Sequence, residues 1–277
     1  ADEVEGDKVL PLRKEQKLRY GENPHQQAAL FLPPLEQRPF EQLSGKELSY
    51  NNLLDLDTLL RGCSVFQDSC ACTIVKHTTP CGTARGETPI EAFKKALACD
   101  PVSAFGGIIG MTRKVELDTA KTVTETFFEI LAAPDFEEGV VEYLKEKKPN
   151  LRVLKILPGY APKLQILGNR CGFLVQEDKL PALPRQSEGE WHGKPRPDLW
   201  DDIIFAWKTA AITKSNAIVL VKDGAAVGIG GGFTNRVDAA EYAIKLAGDK
   251  AKGSVMASDA FFPFADSVEL AHKAGVI

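Results

Sequence analysis

Apolar residues recur along the chain at spacings that are typical of helices in some segments and of strands in others. Four apolar side chains repeat at helical spacing: Leu53, Leu56, Leu60 and Cys63. This pattern predicts a helix. The run at residues 73–75 that follows is too short for a helix and rich in β-branched residues. It predicts a buried strand that ends at Lys76 and His77.

The next segment carries the signals that begin and end a helix. Thr88 is followed three residues later by Glu91, with a proline at the first helical position, which predicts a capping box. The predicted helix ends at Asp100, and the glycines within residues 105–109 predict a turn that enters another strand. This succession of helices and strands indicates an α/β layer fold.

The second half of the chain repeats the alternation. Asp198 is the predicted cap of a helix whose apolar face has four members: Leu199, Ile203, Trp207 and Ala210. Residues 217–229 predict a β-hairpin that turns at Asp223 and Gly224.

Three glycines at residues 230–232 lead to a predicted helix over residues 236–247. Residues 255–257 predict a short strand, and Asp266 opens a second predicted capping box. The sequence stops at residues 276–277, where we expect a new strand to begin, so we expect further residues downstream.

Proline and polar residues become frequent over residues 181–197, which predicts a boundary or a long surface connection. We therefore divide the chain into a frayed lead-in at residues 1–17, a first subdomain at 18–180, the Pro-rich connection, and a second subdomain at 198–277. The stretch from residue 18 to about residue 50 is expected to be rich in loops.

Composition excludes several classes of protein. The formal net charge of -4, without a concentrated basic face, argues against a nucleic-acid-binding protein. No apolar run approaches the roughly 20 residues of a membrane helix, and the acidic first residues do not resemble a signal peptide. The six cysteines form no C-x-x-C pair, so we expect reduced thiols and a cytoplasmic protein.

Lys76 and His77 are the first candidates for chemistry. The carboxyl ends of strands in α/β sheets open onto the ligand crevice. At that place a lysine supplies positive charge, and a histidine accepts a proton near neutral pH. The same position also suits a histidine that merely caps the strand through a local hydrogen bond.

Two further segments have a functional and a structural interpretation. The glycines at residues 230–232, followed by Arg236, let a backbone approach an anion, but they equally fit a tight turn. The aromatic residues within 261–264 suit stacking on a flat heterocycle, and they equally suit a core at the start of a helix.

A metal site is not expected. His77 and Cys81 invite comparison with zinc deaminases, whose signature combines H-x-E with P-C-x-x-C. Here Cys81 follows a proline, but no second cysteine and no H-x-E are present. A serine nucleophile is not expected either, because G-x-S-x-G is absent.

Taken together, the chain from residue 18 to residue 277 resembles the AICAR transformylase domain of the AICAR transformylase/IMP cyclohydrolase family. AICAR is 5-aminoimidazole-4-carboxamide ribonucleotide. Seven stretches carry the resemblance in order: Leu18-Arg-Tyr-Gly-Glu-Asn-Pro-His-Gln26, Leu48-Ser-Tyr-Asn-Asn52, Val75-Lys-His-Thr-Thr-Pro-Cys-Gly82, Asp100-Pro-Val-Ser-Ala-Phe-Gly-Gly107, Ser215-Asn-Ala-Ile218, Val227-Gly-Ile-Gly230 and Ser258-Asp-Ala-Phe-Phe-Pro-Phe264.

The resemblance implies an α/β fold of two cytidine-deaminase-like α/β/α subdomains without zinc. It implies transfer of a formyl group to AICAR by a homodimer whose active sites lie between protomers. The expected formyl donor is 10-formyltetrahydrofolate; we prefer it to formate with ATP because no ATP phosphate loop is present. No metal, nucleic acid or membrane partner is implied.

The resemblance also assigns roles. His77 is the expected proton acceptor, Lys76 supplies positive charge near the formyl group, and Asn216 orients and polarises that group. The expected binding residues are Arg19, Tyr20 and Asn52 for the nucleotide, Phe105 and Gly106 for the base, Glu129 as an acidic ligand-binding residue, and Arg236, Phe261 and Asp266 around the formyl donor and the base.

The chain departs from the family pattern at several positions. Thr79 replaces an asparagine, Phe233 a glutamine, and Ala265 a basic residue, and the C-terminal segment with a closing Arg/His motif is absent. These departures keep open a degenerate relative that binds a purine nucleotide or a folate without catalysis. A zinc-dependent nucleoside deaminase of the related fold is a second alternative.

Overall fold

A large mixed β-sheet dominates the fold. The structure is a computed structural model that describes residues 6–7, 9–159, 164–179, 183 and 196–277. Its strands are β1 (Arg13–Leu18), β2 (Ala28–Leu32), β3 (Phe40–Ser44), β4 (Ala71–Lys76), β5 (Thr79–Arg85), β6 (Ile108–Met111), β7 (Ile130–Ala133), β8 (Arg152–Ile156), β9 (Leu164–Asn169), β10 (Gly172–Glu177), β11 (Ile218–Lys222), β12 (Ala225–Gly230) and β13 (Val255–Ser258).

The helices lie between these strands. They are α1 (Tyr50–Val65), α2 (Pro89–Leu97), α3 (Pro101–Ala104), α4 (Leu117–Val123), α5 (Val140–Lys147), α6 (Trp200–Ala211), α7 (Arg236–Ala247) and α8 (Asp266–Lys273), with 3-10 turns at Pro197–Leu199 and Gly248–Ala251. Within the described ranges, no helix combines the length and the apolar character needed to span a bilayer.

Nine strands form one sheet in the order β13-β11-β12-β5-β4-β6-β7-β8-β3. Strands β6, β7 and β8 run parallel, and the other neighbours in the sheet are antiparallel. Two separate hairpins pair β1 with β2 and β9 with β10. The predicted mixed α/β class is therefore confirmed.

The sheet is continuous between the two predicted subdomains. Strand β12 joins β5 where Ala225 pairs with Ala84, and the Arg85 N–H donates to the Gly224 carbonyl oxygen at 2.9 Å. The division into two subdomains stays a prediction. Of the predicted connection, residues 181–182 and 184–195 lie outside the described residues.

Helices cover both sides of the central strands. Neighbouring strand residues face opposite sides of a sheet. On one side, Ile74 and Ile109 pack into a core with buried residues of α2, α4 and α5. On the other side, Val75 and Ile108 pack with Leu56 of α1. Strand β11 repeats the arrangement between α6 and α7.

Several predicted elements are confirmed. The apolar pattern over residues 53–63 belongs to α1, residues 73–75 to β4, and residues 236–247 coincide with α7. The predicted hairpin is β11–β12, and its turn residues Asp223 and Gly224 have φ values of 53° and 71°. Both values are those of a type I′ turn, which matches the twist of a two-residue hairpin.

Two predicted capping boxes are wrong in detail. The Thr88 hydroxyl accepts from the Glu91 N–H, but the Glu91 carboxylate accepts from the Glu87 N–H at 2.8 Å, so the reciprocal bond to Thr88 is replaced. Asp266 is the first residue of α8 rather than its cap. From that position its carboxylate accepts from the neighbouring Ser267 N–H at 2.7 Å.

The start and the apolar face of α6 also differ from the prediction. Asp198 lies in a 3-10 turn and pairs with Arg196 at 2.7 Å, so its carboxylate does not cap α6. Trp207, predicted on the inner face, is 38% exposed. The other three predicted residues are confirmed, because Ala210 is buried and Leu199 and Ile203 pack against the same core. Phe205, Ala206 and Thr209 complete the buried face of α6.

The predicted lead-in is wrong for residues 13–17, because β1 covers Arg13–Leu18 and pairs with β2. Most side chains of β1 are polar, and its hydrogen bonds come from the backbone, so the strand leaves no apolar pattern in the sequence. The helix α1 begins with a capping box that we did not predict: the Ser49 hydroxyl and the Asn52 side chain each accept from the other residue's backbone N–H at 3.1 Å.

Buried thiols predict a loss of stability at alkaline pH. Burial raises the pKa of Cys63 and of Cys81 to about 12, and it raises the pKa of Cys72 and Cys99 as well. In the unfolded chain these thiols ionise near pH 9, whereas the folded protein keeps their protons. The free energy of unfolding should therefore fall above about pH 9, by up to about 1.4 kcal/mol per pH unit for each thiol.

Urea unfolding between about pH 8 and about pH 10 measures this slope. Cys99→Ala should make the slope shallower, whereas Cys171→Ala, which removes an exposed thiol, should leave it unchanged. An equal slope in both variants would contradict the assignment of the alkaline loss to buried thiols.

Candidate active site

Most of the predicted site residues lie along one edge of the sheet. The registers place the carboxyl ends of β4, β12 and β13 at this edge together with the amino ends of β6, β7, β8 and β11. Because β4 runs antiparallel to β6, Lys76 and His77 lie beside the amino ends of the three parallel strands. Both residues follow the carboxyl end of their own strand, β4, as the sequence indicated, but the neighbouring parallel strands present their amino ends at this place.

Lys76 and His77 are held by the tight turn between β4 and β5. Lys76 pairs with Thr79, so His77 and Thr78 form a two-residue hairpin loop. Both have positive φ, 52° and 61°, in the left-handed region that side chains with a Cβ rarely adopt. The His77 side chain is exposed, and no hydrogen bond of its imidazole is found in the described part of the chain, so it does not cap the strand.

A cleft of about 350 Å³ opens beside this turn. Its lining includes Lys76, His77, Cys81, Gly231 and Tyr242. The cleft brings a cationic side chain and a proton acceptor to one cavity. Burial raises the pKa of Cys81 to about 12, so its thiol stays protonated at neutral pH and is no nucleophile.

Phe105 and Gly106 lie next to Lys76. The Lys76 Nζ atom donates to the Phe105 carbonyl oxygen at 2.6 Å. Gly106 has φ 75°, and its N–H donates to the Phe127 carbonyl oxygen at 2.8 Å. The Phe105 ring is 57% exposed and lies 5.4 Å from the Phe127 ring, so it presents an aromatic surface close to the lysine.

A second cluster centres on Glu129, ahead of β7. One Glu129 carboxylate oxygen accepts from the Asn52 side-chain amide at 2.8 Å and from the Arg152 guanidinium at 3.1 Å. Arg152 also donates through Nε to the Glu47 carbonyl oxygen at 3.0 Å. Burial lowers the pKa of Arg152, and the charges of Glu129 and Tyr20 oppose this shift. One Glu129 oxygen thus connects the side chains of Asn52 and Arg152.

Arg19 and Tyr20 belong to the segment that follows β1. The Arg19 guanidinium lies 5.5 Å from the centre of the Tyr20 ring, which is a cation–π contact. Tyr20 is one of the groups that act on the pKa of Arg152, so its ring lies near the Glu129 cluster. The structure thereby gathers four predicted binding residues: Arg19, Tyr20, Asn52 and Glu129.

Asn216 belongs to a third cluster, ahead of β11. Its side-chain amide donates to the Phe233 carbonyl oxygen at 3.0 Å. The neighbouring Asp259 accepts from Ser215, from the Ala217 N–H at 2.8 Å and from Arg236. Although burial raises the pKa of Asp259, these hydrogen bonds hold it below its ordinary value, so the carboxylate keeps its charge.

The aromatic loop before α8 is exposed. The Phe261 ring is 81% exposed and the Phe264 ring 73%, so the interpretation of this loop as core is wrong for both. Asp266 begins the following helix. An exposed ring is free to stack on a ligand or on another protein surface.

The glycines at residues 230–232, which end β12 and follow it, allow close packing. A Cβ atom on Gly230 would lie 2.1 Å from the Ala239 carbonyl oxygen, and one on Gly231 would lie 2.9 Å from the Thr79 side chain. The Gly232 N–H donates to the Lys214 carbonyl oxygen at 2.7 Å. These contacts support a tight structural turn that links the loop before Asn216 to the β4–β5 turn.

The structure does not bring all three predicted catalytic residues into one cavity. Strands β11 and β4 are three positions apart in the sheet, which corresponds to about 14 Å. Asn216 does not line the cleft that contains Lys76 and His77. In the described ranges, no group of three or more His, Cys, Asp or Glu residues is arranged to hold a metal ion.

Three residues beside the predicted ones were not predicted from the sequence: Arg152, Asp259 and Asp55, whose carboxylate accepts from the Thr78 N–H in the β4–β5 turn. Arg152 follows no motif, and its importance depends on its neighbours in space. Asp259 lies inside a stretch that we used for the family resemblance. Asp55 is three residues after Asn52 on α1, a spacing that places both on one helix face.

Comparison with known proteins identifies related sequences. The family model described as the AICARFT/IMPCHase bienzyme matches residues 2–246. The bifunctional purine biosynthesis protein PurH of Persephonella marina is 44% identical, over 96% of this chain and 53% of that protein.

Two other relatives give the same picture. The PurH protein of Thermoanaerobacter sp. is 47% identical, over 95% of this chain and 52% of the relative. The PurH protein of Rhodopirellula baltica is 44% identical, over 100% of this chain and 57% of the relative. The chain therefore spans about half the length of the curated relatives that it matches.

Proposed function

The chain belongs to the AICARFT/IMPCHase bienzyme family, and from this membership we propose that it acts in purine biosynthesis by transferring a formyl group from 10-formyltetrahydrofolate to the 5-amino group of AICAR. The observation that carries the proposal is the exposed His77 on a tight turn, next to Lys76 and a cleft of about 350 Å³. A proton acceptor and a cation at one cavity are what this transfer requires.

The reaction forms a bond between the AICAR amine nitrogen and the formyl carbon, and it breaks the bond between that carbon and N10 of the folate. The amine is conjugated to the imidazole ring and is a weak nucleophile. His77 accepts the amine proton as the new bond forms. Lys76 and the Asn216 amide stabilise the negative charge on the formyl oxygen, and N10 leaves with a proton.

The nucleotide is proposed to bind between the turn and the Glu129 cluster. Phe105 supports the base beside Lys76. Glu129 accepts a hydrogen bond from the ligand, and the other nucleotide contacts come from Arg19, Tyr20 and Asn52. Arg236, Phe261 and Asp266 are proposed to surround the formyl donor, with the exposed Phe261 ring stacking on it.

A homodimer gives this mechanism a complete site. Within one chain, Asn216 does not line the cleft that contains Lys76 and His77. A second protomer placed across the edge would bring its own Asn216 to the turn of the first. This arrangement also suits the exposed rings of Phe105 and Phe261, which a partner would cover.

Family membership also leads us to propose the finer architecture. Residues 18–180 and 198–277 are proposed to be two cytidine-deaminase-like subdomains that share the continuous sheet. We place the protein in the cytoplasm, which keeps cysteine thiols reduced. The six cysteines are free in the structure.

A relative that binds its ligands without catalysis is the second candidate. Phe233 packs on Tyr242, which lines the cleft, with ring centres 5.4 Å apart. Thr79, another departure from the family pattern, lines the same cleft. Both substitutions remove an amide side chain that the family usually has near the site.

Absorbance during incubation with AICAR and 10-formyltetrahydrofolate tests the proposal directly. Formyl transfer would support the transformylase. Binding of AICAR in a calorimeter without any transfer would favour the non-catalytic relative. If the chain neither binds AICAR nor transfers the formyl group, both the transformylase and the non-catalytic relative are refuted. Zinc analysis addresses the deaminase alternative, because one zinc ion per chain would support it.

Arg152→Gln is expected to raise the KM for AICAR by about tenfold to a hundredfold, because a hydrogen bond to a charged group contributes about 1.5–3 kcal/mol. Without the guanidinium, the Glu129 carboxylate loses the partner that holds it. The measurement is initial-rate kinetics with varied AICAR.

Lys155→Gln is the matched control on the same strand. It removes an exposed ion pair with Asp135 at 2.9 Å, which contributes little to stability. Its KM should equal that of the unmodified chain. An unchanged KM in Arg152→Gln would show that Arg152 does not support nucleotide binding.

A further inference from the structure

The turn that presents His77 has an unfavourable backbone conformation, and contacts from another part of the chain hold it in place. His77 and Thr78 are consecutive left-handed residues with φ values of 52° and 61°. Glycine or asparagine usually occupies such positions in two-residue hairpins, because a branched side chain crowds the backbone there. A turn of this sequence therefore depends on contacts from elsewhere in the chain.

Helix α1 supplies those contacts. The Asp55 Oδ1 atom accepts a hydrogen bond from the Thr78 N–H at 2.6 Å. The Thr58 hydroxyl, three residues further along the same helix face, donates to the Thr78 carbonyl oxygen at 3.2 Å. Thr58 is buried and Asp55 is half-buried. The backbone N–H and the carbonyl oxygen of Thr78 are thus both bound to side chains of one helix.

We propose that Asp55 is a positioning residue, which acts on the reaction only through His77 by holding the His77–Thr78 turn against α1. This inference rests on the proposed function of His77. A carboxylate is a stronger acceptor for a backbone N–H than a neutral group. A turn fixed in this way keeps the imidazole at one place beside the cleft, and small displacements of a catalytic group are costly.

The electrostatic surroundings agree with this role. Burial raises the pKa of Asp55, and the hydrogen bond from the Thr78 N–H and the charge of His77 oppose that shift. The charged groups that act on the carboxylate are His77 and Glu129.

Kinetics of three variants test the inference. Asp55→Ala should lower kcat by about 10²-fold, with the KM values for AICAR and 10-formyltetrahydrofolate changed less than about twofold. Asp55→Asn keeps an oxygen acceptor for Thr78 and should regain at least about tenfold of the loss. Asp57→Ala is the control, because it removes an exposed carboxylate of the same helix that pairs with Arg61.

A double variant separates positioning from a general structural effect. Because Asp55 acts through His77, the variant with both His77→Ala and Asp55→Ala should be no slower than His77→Ala alone. Losses that multiply in the double variant would overturn the proposal. An unchanged kcat in Asp55→Ala, or a loss confined to KM, would overturn it as well.

Hydrogen exchange of the Thr78 amide tests the support of the turn without any activity. In Asp55→Ala this amide should exchange faster by about tenfold or more, whereas amides of the β4–β6 pairing keep their rates. An unchanged Thr78 rate would refute the hydrogen bond on which the inference depends. If the unmodified chain transfers no formyl group, the proposed function fails and so does the kinetic role, whereas a faster Thr78 exchange would still establish the support.

Discussion

Replacing His77 with alanine is expected to lower kcat for formyl transfer by about 10²–10⁴-fold, the contribution typical of a positioned proton acceptor. The side chain is exposed on its turn, so its loss leaves no buried cavity. The effect should therefore appear in kcat, while thermal unfolding and AICAR binding stay close to those of the unmodified chain. Absorbance during the reaction measures the rate.

The matched control is His272→Ala, which removes an exposed histidine in the last turn of α8. It should keep full activity. A His77→Ala variant that retains most of its kcat would show that another group, or the substrate itself, accepts the proton. Loss of AICAR binding in this variant would instead indicate that His77 holds the nucleotide.

Two inactive variants are expected to restore activity to each other when they share a dimer. Asn216→Ala alone should lower kcat by about 10²–10³-fold, as the loss of one oxyanion donor does in other enzymes. When Asn216→Ala and His77→Ala chains associate at random, half of the dimers are hybrids, and each hybrid has one intact site of two. The mixture should regain roughly a quarter of the unmodified activity.

The control mixture combines His77→Ala with Lys76→Ala. Both residues lie on the same turn, so every site in these hybrids carries one defect and no activity should return. Hybrids with two different affinity tags allow purification before the assay. If the mixture of His77→Ala and Asn216→Ala stays inactive, one protomer supplies both residues, or the chain does not form the proposed dimer.

The sequence predicted those elements whose signals are local. An Asp-Gly pair with positive φ defines the β11–β12 turn, and helical spacing defines α1 and α7. The predictions failed where a local signal had competing partners. The Glu91 carboxylate accepts from the Glu87 N–H instead of the Thr88 N–H, and Asp198 pairs with Arg196 instead of capping α6. Several side chains can satisfy one orphan N–H, and the path of the chain selects among them.

In the candidate site, too, the local features could be predicted from the sequence and the pairing of distant segments could not. Lys76 and His77 could be placed at the end of a strand from the sequence, because a short β-branched run precedes them. The sequence could not predict whether that strand runs parallel or antiparallel to its neighbours, because strand order and orientation depend on pairing between distant segments. The consequence is that the turn borders the amino ends of the parallel strands.

By itself, the sequence determined an α/β fold, the chemistry available at Lys76 and His77, and a family resemblance that the comparisons confirm. Only the tertiary structure decided which residues support that chemistry. Arg152 reaches Glu129, and Asp55 reaches Thr78, across more than twenty positions of the chain. Such contacts are absent from local patterns, because they arise when burial in the folded sheet brings distant polar groups together and each must find a partner.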